Sequence, residues 1–302
     1  MADSKLETTH DYPEITVAVC VRNGETSLQA CLDSLMALNY PKDKLTLMVV
    51  DNGSSDSTPD ILARYPVTVI HEATIGRGYA RNTACRHCKT PILAFTDADC
   101  RVTENWLMDL APLFEDASVG IAGGNIVTPG DDILARFYEL RQIVSNREFA
   151  GDYPYSPPFL ATANALFRLE AIQQAGGFRT HFRVAEDADI CWRIRNNDWK
   201  LIYVDGGTVY HDHRASRSGL FRQAVDYGYD GVAVYLAFYP LTRPWVWWGL
   251  YYRWLAALLK LPISVFSKDD FQRQLPMLDL IRYTGLIIGR IRAAFAFKKI
   301  VL

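Results

Sequence analysis

Ile15-Thr16-Val17-Ala18-Val19-Cys20-Val21 is a β-branched apolar run that stops at Arg22-Asn23-Gly24-Glu25, after which apolar residues return at 28, 31, 32, 35 and 38. The run has the composition of a strand buried on both faces, the polar tetrapeptide is a turn, and the spacing of three and four is one face of a helix. The unit then repeats. Leu45-Thr46-Leu47-Met48-Val49-Val50 ends on Asp51-Asn52-Gly53-Ser54-Ser55-Asp56-Ser57-Thr58, with a helix expected over 59–64. Val67-Thr68-Val69-Ile70 is a third strand, 78–88 a helix, and Pro91-Ile92-Leu93-Ala94-Phe95-Thr96 a fourth strand that runs into Asp97-Ala98-Asp99. Strands and helices alternating at these lengths predict an α/β fold with a mostly parallel sheet covered by helices on both faces.

Further along, 123–127 and 160–168 read as later strands flanking a helical stretch over 133–149. A helix opens at Glu186-Asp187-Ala188-Asp189 with acids in its first turn, and a strand over 201–204 precedes Val209-Tyr210-His211-Asp212-His213. In such sheets ligands bind beyond the carboxyl ends of the strands, where loops converge and helix N-termini point. Asn23, Asp51 and the pair Asp97 and Asp99 each follow directly after a strand.

Among the 302 residues 49% are hydrophobic and 22% charged, which is ordinary for a folded protein and excludes disorder. The formal net charge of -2 argues against a nucleic-acid partner. It averages two unlike parts, because residues 241–302 hold ten Lys/Arg against three Asp/Glu and residues 1–240 carry the opposite excess. The opening residues lack the apolar run of a secretory signal, and six scattered cysteines read as reduced thiols, so a cytoplasmic protein is expected. Cys85-Arg86-His87-Cys88 has no second ligand pair at the spacing a zinc site needs.

Two carboxylates one residue apart at a strand end gather a divalent cation, and that cation holds a diphosphate. A solvated turn is the competing reading of Asp97-Ala98-Asp99. The ordered set decides between them. Over 15–218 the chain resembles glycosyltransferase family 2, of the Rossmann-like GT-A fold. The resemblance is carried by Val21-Arg22-Asn23-Gly24, Val49-Val50-Asp51-Asn52-Gly53-Ser54-Ser55-Asp56, Gly76-Arg77-Gly78-Tyr79-Ala80-Arg81-Asn82, Phe95-Thr96-Asp97-Ala98-Asp99, Gly176-Gly177-Phe178, Glu186-Asp187-Ala188-Asp189-Ile190-Cys191-Trp192-Arg193 and Val209-Tyr210-His211.

That likeness implies an inverting enzyme moving a single sugar from a nucleoside diphosphate sugar to a hydroxyl on a glycan or lipid-linked acceptor. It places Val21 and Asn23 at the nucleotide, gives Asp51 the nucleobase and Asp97 the ribose, and makes Asp99 a direct ligand of Mn2+ or Mg2+. Arg77 or Arg81 adds a charge-assisted contact to the nucleotide. Asp187 is the implied general base, with Glu186 the second candidate or a wall of the acceptor site. Asp189 is expected to pair with a neighbouring arginine such as Arg193. His211, ahead of His213, is the implied third ligand of the cation. The Gln-x-x-Arg-Trp signature of polymer-building relatives is missing, its nearest counterpart being Leu250-Tyr251-Tyr252-Arg253-Trp254. The other readings open at this stage are a nucleotidyltransferase and a non-catalytic sugar-nucleotide or glycan-binding module.

From position 241 the composition shifts to Trp245, Trp247, Trp248, Tyr251, Tyr252 and Trp254 among Arg243 and Arg253. Aromatics beside cations favour the headgroup zone of a bilayer, yet charges interrupt every run before the roughly 20 apolar residues required to span one. The expected organisation is a flexible tail over 1–13, a catalytic domain over 14–218 and an amphipathic helical region over 219–302. That last region would rest on the cytoplasmic face of a membrane, or cap the catalytic domain or a second copy of the chain.

Overall fold

The computed structural model describes residues 12–298 apart from 152, 154–155, 215 and 240–247. The expectations for the first eleven residues, Arg243, Trp245, Trp247 and Lys299 fall outside the described residues. The first strand, β1 (Ile15–Val21), is an inner strand, third from one edge, of a seven-stranded sheet. It pairs in parallel with β2 (Leu45–Asp51) on one side and β4 (Ile92–Asp97) on the other, and β3 (Thr68–His71) adds to the outer side of β2. The helices between these strands are α1 (Leu28–Met36), α2 (Thr58–Leu62) and α3 (Arg77–His87).

Alternation along β1 builds both faces of the core. Val17 and Val19 join Leu28, Leu32 and the fully buried Trp106 on one side, whereas Ala18 joins Met48, Val50, Ala80 and Phe95 on the other. Each large side chain so buried contributes about 1.5–3 kcal/mol, which fixes the register of the central strands.

Beyond β4 the sheet departs from the simple parallel expectation. β5 (Cys100–Val102) and β6 (Val119–Gly123), unread in the sequence, are joined by α4 (Trp106–Leu110), and β7 (Ile126–Val127) follows. The expected single helical stretch over 133–149 is two helices, α5 (Ile133–Leu140) and α6 (Asn146–Phe149), each with its own cap from Asp132 and Ser145. The chain returns as β8 (Ala165–Arg168), which lies antiparallel between β4 and β6, and continues through α7 (Leu169–Gln174), α8 (Glu186–Arg195) and β9 (Lys200–Tyr203). β10 (Val209–His211) pairs with β5 and β7 in a separate three-stranded sheet.

Three long helices complete the chain: α9 (Arg217–Phe238), α10 (Trp248–Ser264) and α11 (Asp270–Phe297). Two of them are built into the α/β body. From α9, Val234 enters the second core cluster, Phe238 meets Trp192 edge-on at 5.1 Å, and Asp230 accepts the backbone N–H groups of Arg183 and Val184 at 2.5 and 2.8 Å. Phe271 and Leu278 of α11 pack with Phe137 and Tyr138 of α5. α10 is held chiefly by α11, through Leu250, Ala257 and Tyr283 and a hydrogen bond from Trp254 Nε1 to Thr284 Oγ1 at 3.0 Å. Its outer face leaves Trp248, Tyr252, Leu255, Leu259 and Ile263 exposed, a stripe at helical spacing that Phe266 extends just past the end of the helix. Among the described residues no helix is long and apolar enough to cross a membrane.

Candidate functional site

Parallel register brings the strand ends to one edge of the sheet: Val21 lies opposite Asp51 and Cys20 opposite Asp97. The loops there are tied to one another. Asn23, at a left-handed φ of 57°, accepts the Ser55 N–H on Oδ1 at 2.8 Å and donates its own N–H to Ser54 Oγ at 2.9 Å. Gly24 N–H donates to Thr58 Oγ1 at 2.8 Å, and Asn52 Oδ1 accepts the Gly76 N–H at 2.8 Å. Val21 is a core residue whose carbonyl takes the Asn52 N–H at 2.8 Å. Expected at the nucleotide, Val21 through its carbonyl and Asn23 through its N–H and Oδ1 help to shape the loop. Asp51 is buried, accepts the Ser54 N–H at 3.0 Å, and keeps its second oxygen 3.5 Å from Nδ1 of His71, its register partner on β3.

The centre of the site is Arg81. From the second turn of α3 its guanidinium reaches Asp97 Oδ1 at 3.3 Å with one nitrogen and Glu186 Oε1 with the other, stacking over Phe178 at 5.9 Å. Burial would lower the Arg81 pKa, but Glu186 and Asp97 outweigh it and hold the guanidinium charged. Asp97, pushed up by burial, is drawn below the usual carboxylate range by Arg81 and Arg77. Arg77 keeps an exposed surface at the start of the same helix, and its charge is reinforced by Glu186 and Asp97 against the opposing effect of burial.

Glu186 and Asp187 are adjacent in sequence and unlike in setting. Glu186 is 1% exposed and ion-paired, with Oε2 lacking a hydrogen-bond partner among the described residues. It therefore braces α8 against α3. Asp187 looks the other way, into a cavity of about 1010 Å3 between α8, α9 and the two last helices. Burial first, and Glu186 beside it second, push its carboxyl up to about 7. Asp189 is fully buried between Arg193, at 2.6 Å, and Arg179, at 3.0 Å, as the expected structural pair.

Asp99 and His211 meet across the small sheet. His211 stands opposite Cys100 in register, the Asp212 N–H donates to the Asp99 carbonyl at 3.0 Å, and Nε2 of His211 is 3.6 Å from Asp99 Oδ1. With Cys100 they form the one group of metal-type donors found among the described residues, all within 4.8 Å of one another. Cys100 is 1% exposed, and burial together with Asp99 pushes its thiol well above the normal range. A carboxylate oxygen and an imidazole leave room for diphosphate oxygens around a hard or borderline cation, which is the donor set that Mn2+ or Mg2+ accepts. His213 is outside this group: its ring lies 5.6 Å from that of Tyr138 with Nε2 3.3 Å from Asp132 Oδ1, so it is brought to the cap of α5.

The sequence reading missed the walls of the cavity, where Phe149, Phe159, Trp192 and Tyr235 face Tyr252, Arg253 and Arg282 from the tail. The aromatic and basic composition of 245–254 was the available signal, but nothing in it says that α9–α11 fold back over α8.

Residues 16–176 match the family pattern described as Glycosyl transferase family 2. Similar proteins include a pre-mycofactocin glycosyltransferase of Mycobacterium tuberculosis, 31% identical over 75% of this chain and 48% of that protein. Glycosyltransferase AglE of Haloferax volcanii is 28% identical over 63% of each, and the beta-monoglucosyldiacylglycerol synthase of Synechocystis is 23% identical over 92% of this chain and 62% of that one. The chain thus spans 48% to 63% of the length of these relatives. Among solved structures, the mannosyltransferase PcManGT from Pyrobaculum calidifontis, in complex with GDP-Man and Mn2+, shares the fold at a TM-score of 0.64 and 21% identity, covering 95% of this chain and 88% of that one.

Proposed function

The chain belongs to glycosyl transferase family 2, and from that premise we propose that it is an inverting, metal-dependent enzyme that moves one sugar per encounter from a nucleoside diphosphate sugar to an acceptor hydroxyl. The observation that carries this reading is the position of Asp187, a carboxylate facing a cavity while its neighbour Glu186 is bound through Arg81 to the strand-end acid Asp97. Residues 14–218 are the catalytic domain in this reading. Asp51 takes the nucleobase, Asp97 the ribose, Arg77 and Arg81 supply positive charge near the diphosphate, and Asp99 with His211 holds the divalent cation. When bound, that cation supplies charge stabilisation at the diphosphate.

Asp187 takes the proton of the acceptor hydroxyl as its oxygen bonds to the anomeric carbon. The bond from that carbon to the diphosphate oxygen breaks on the opposite face, so the configuration inverts and the negative charge leaves with the nucleoside diphosphate. A base near neutrality suits this task, since it is ionised at working pH and still basic enough to accept. The tail, 219–302, closes the acceptor side and makes peripheral contact with the cytoplasmic face of a membrane.

Asp187→Asn should leave nucleotide affinity within a few-fold and lower turnover by roughly 10²-fold. Asp99→Ala should abolish Mn2+-dependent nucleotide binding measured by calorimetry. Product NMR should show the anomeric configuration opposite to that of the donor. Retention of configuration, or near-normal turnover in Asp187→Asn, would overturn the mechanism.

A further inference from the structure

Asp187 can serve as a base only if its carboxylate is held in place, and the start of α8 supplies little hold of its own. Ala185, at the position before the helix, has no side chain that can cap the first turn. Asp187 takes the Ala188 N–H on Oδ1 at 2.8 Å, so the direction of the carboxylate follows the backbone of that turn. The chain leading into it is anchored from other helices. At Phe178 the backbone N–H and carbonyl are both held by the Asn82 side chain of α3, each at 2.8 Å. Nearer the base, the N–H groups of Arg183 and Val184 donate to a single oxygen, Oδ2 of Asp230 on α9.

Asp230 is 1% exposed, and a buried carboxylate is costly unless hydrogen bonds offset it. Burial pushes its carboxyl up, with Glu186 adding to the effect, while the two N–H groups draw it down. Other residues of α9 grip the same stretch: the Arg183 guanidinium lies 5.2 Å over the Tyr229 ring and 3.6 Å from Asp226 Oδ1. Asp226, Tyr229 and Asp230 are three and four apart, so they share one face of the helix. The same helix gives Gly231, Val234 and Tyr235 to the wall of the cavity that Asp187 faces. We propose that Asp230 is a positioning residue for Asp187: by fixing the backbone at Arg183 and Val184 it sets the first turn of α8, and so aims the base into its cavity. This rests on the reading of Asp187 as the base, and it carries the catalytic unit past residue 218 into the helical region. A misplacement of about 1 Å at a reacting group lowers turnover by up to about 10²-fold. Nucleotide binding, whose proposed contacts come from α3, the strand ends and His211, does not depend on it.

The test uses the full chain. Asp230→Ala should lower kcat by roughly 10-fold to 10²-fold while Mn2+-dependent nucleotide affinity stays within about twofold. Asp230→Asn should keep kcat within about threefold, because an amide oxygen accepts both N–H groups as Oδ2 does. Val232→Ala, which loosens the packing of α9 on Ala293 of α11, should lower the melting temperature and leave kcat unchanged. A second readout requires no turnover. Burial pushes Asp187 up to about 7, so at pH 8 Asp187→Asn removes a desolvated charge and should raise the melting temperature. That gain should shrink in the Asp230→Ala background and persist in the Val232→Ala background. If Asp230→Ala does not fold, Asp230→Glu, which carries the carboxylate one methylene further, should likewise lower kcat at unchanged nucleotide affinity. Normal kcat in Asp230→Ala or Asp230→Glu, or melting shifts that add independently, would overturn the proposal and leave Asp230 a fastening for α9 alone. Asp230→Asn as slow as Asp230→Ala would overturn it too, since acceptance of the two N–H groups would not be what matters. Near-normal turnover in Asp187→Asn would instead sink the base assignment.

Discussion

Burial and Glu186 push the Asp187 carboxyl up to about 7, about three pH units above a free aspartate. As the proposed base it must be ionised, so kcat/KM should rise about tenfold per pH unit below about pH 7 and level off above it. The same shift acts on folding. Because the folded pKa exceeds the unfolded one, the protonated acid favours the native state: that stabilisation is complete below about pH 4 and is lost as pH rises through about 7. Asp187→Asn should therefore melt higher than the unmodified protein at pH 8, with the difference closing toward pH 4. Equal melting at pH 8 would mean that the carboxylate is not desolvated. Arg81 answers to a different rule. Arg81→Met leaves Glu186 buried without its cation, at a cost of about 3–5 kcal/mol. Removing both charges in Arg81→Met with Glu186→Leu should restore much of that stability and none of the activity. Non-additivity in urea melts is the readout.

At the level of elements, the contact between α9 and α11 decides whether the cavity has a lid. The two helices approach backbone to backbone: a Cβ at Gly289 would stand 2.1 Å from the Val225 carbonyl oxygen, and one at Gly228 would stand 2.3 Å from that of Leu286. Neither neighbour is a flexible side-chain end, so the helices themselves must part. Gly289→Ala should cost about 1–3 kcal/mol or more, although alanine is the better helix former by about 1 kcal/mol. The loss should appear as a lower melting temperature and a raised acceptor KM, with nucleotide affinity unchanged. Gly231 and Gly249, where an added Cβ meets nothing within 4 Å, serve as controls that should gain slightly on the same change.

For the whole molecule, the charge asymmetry and the aromatic tail resolve into separate surfaces. α9 and α11 are largely a cap on the α/β body, while the stripe on α10 stays exposed, up to 75% at Tyr252, and Phe266 just beyond the helix is 85% exposed. Of the cations on α11, Arg292 is exposed, whereas Arg290 is half-buried. The protein should co-sediment with anionic vesicles more than with neutral ones, and added salt should shrink that difference. Leu259→Ser with Phe266→Ser should weaken recruitment without lowering the melting temperature, because those side chains support no packing. If anionic vesicles at low salt recruit nothing, the α10 face is not a membrane surface.

Sequence alone determined the first four strands, the helices between them, the acids at their ends and the helix beginning at Glu186. Each is a local pattern in which burial period and turn chemistry agree over a few residues. The antiparallel β8, the short β5 and the break between α5 and α6 were not legible, because pairing direction and helix termination there depend on what lies across the sheet. At the site, the sequence named Arg81, Glu186 and Asp187 but left their division of labour open. Only the fold aims Glu186 at Arg81 and Asp187 at a cavity, since neighbouring residues at a helix start point in directions about 100° apart and the body they meet is set by distant chain. The same holds for His211 and His213, two residues apart yet delivered to Asp99 and Asp132. The cavity beside Asp187 belongs wholly to tertiary structure, because its walls come from residues 140 to 283, and no local pattern records that α9–α11 fold back over α8.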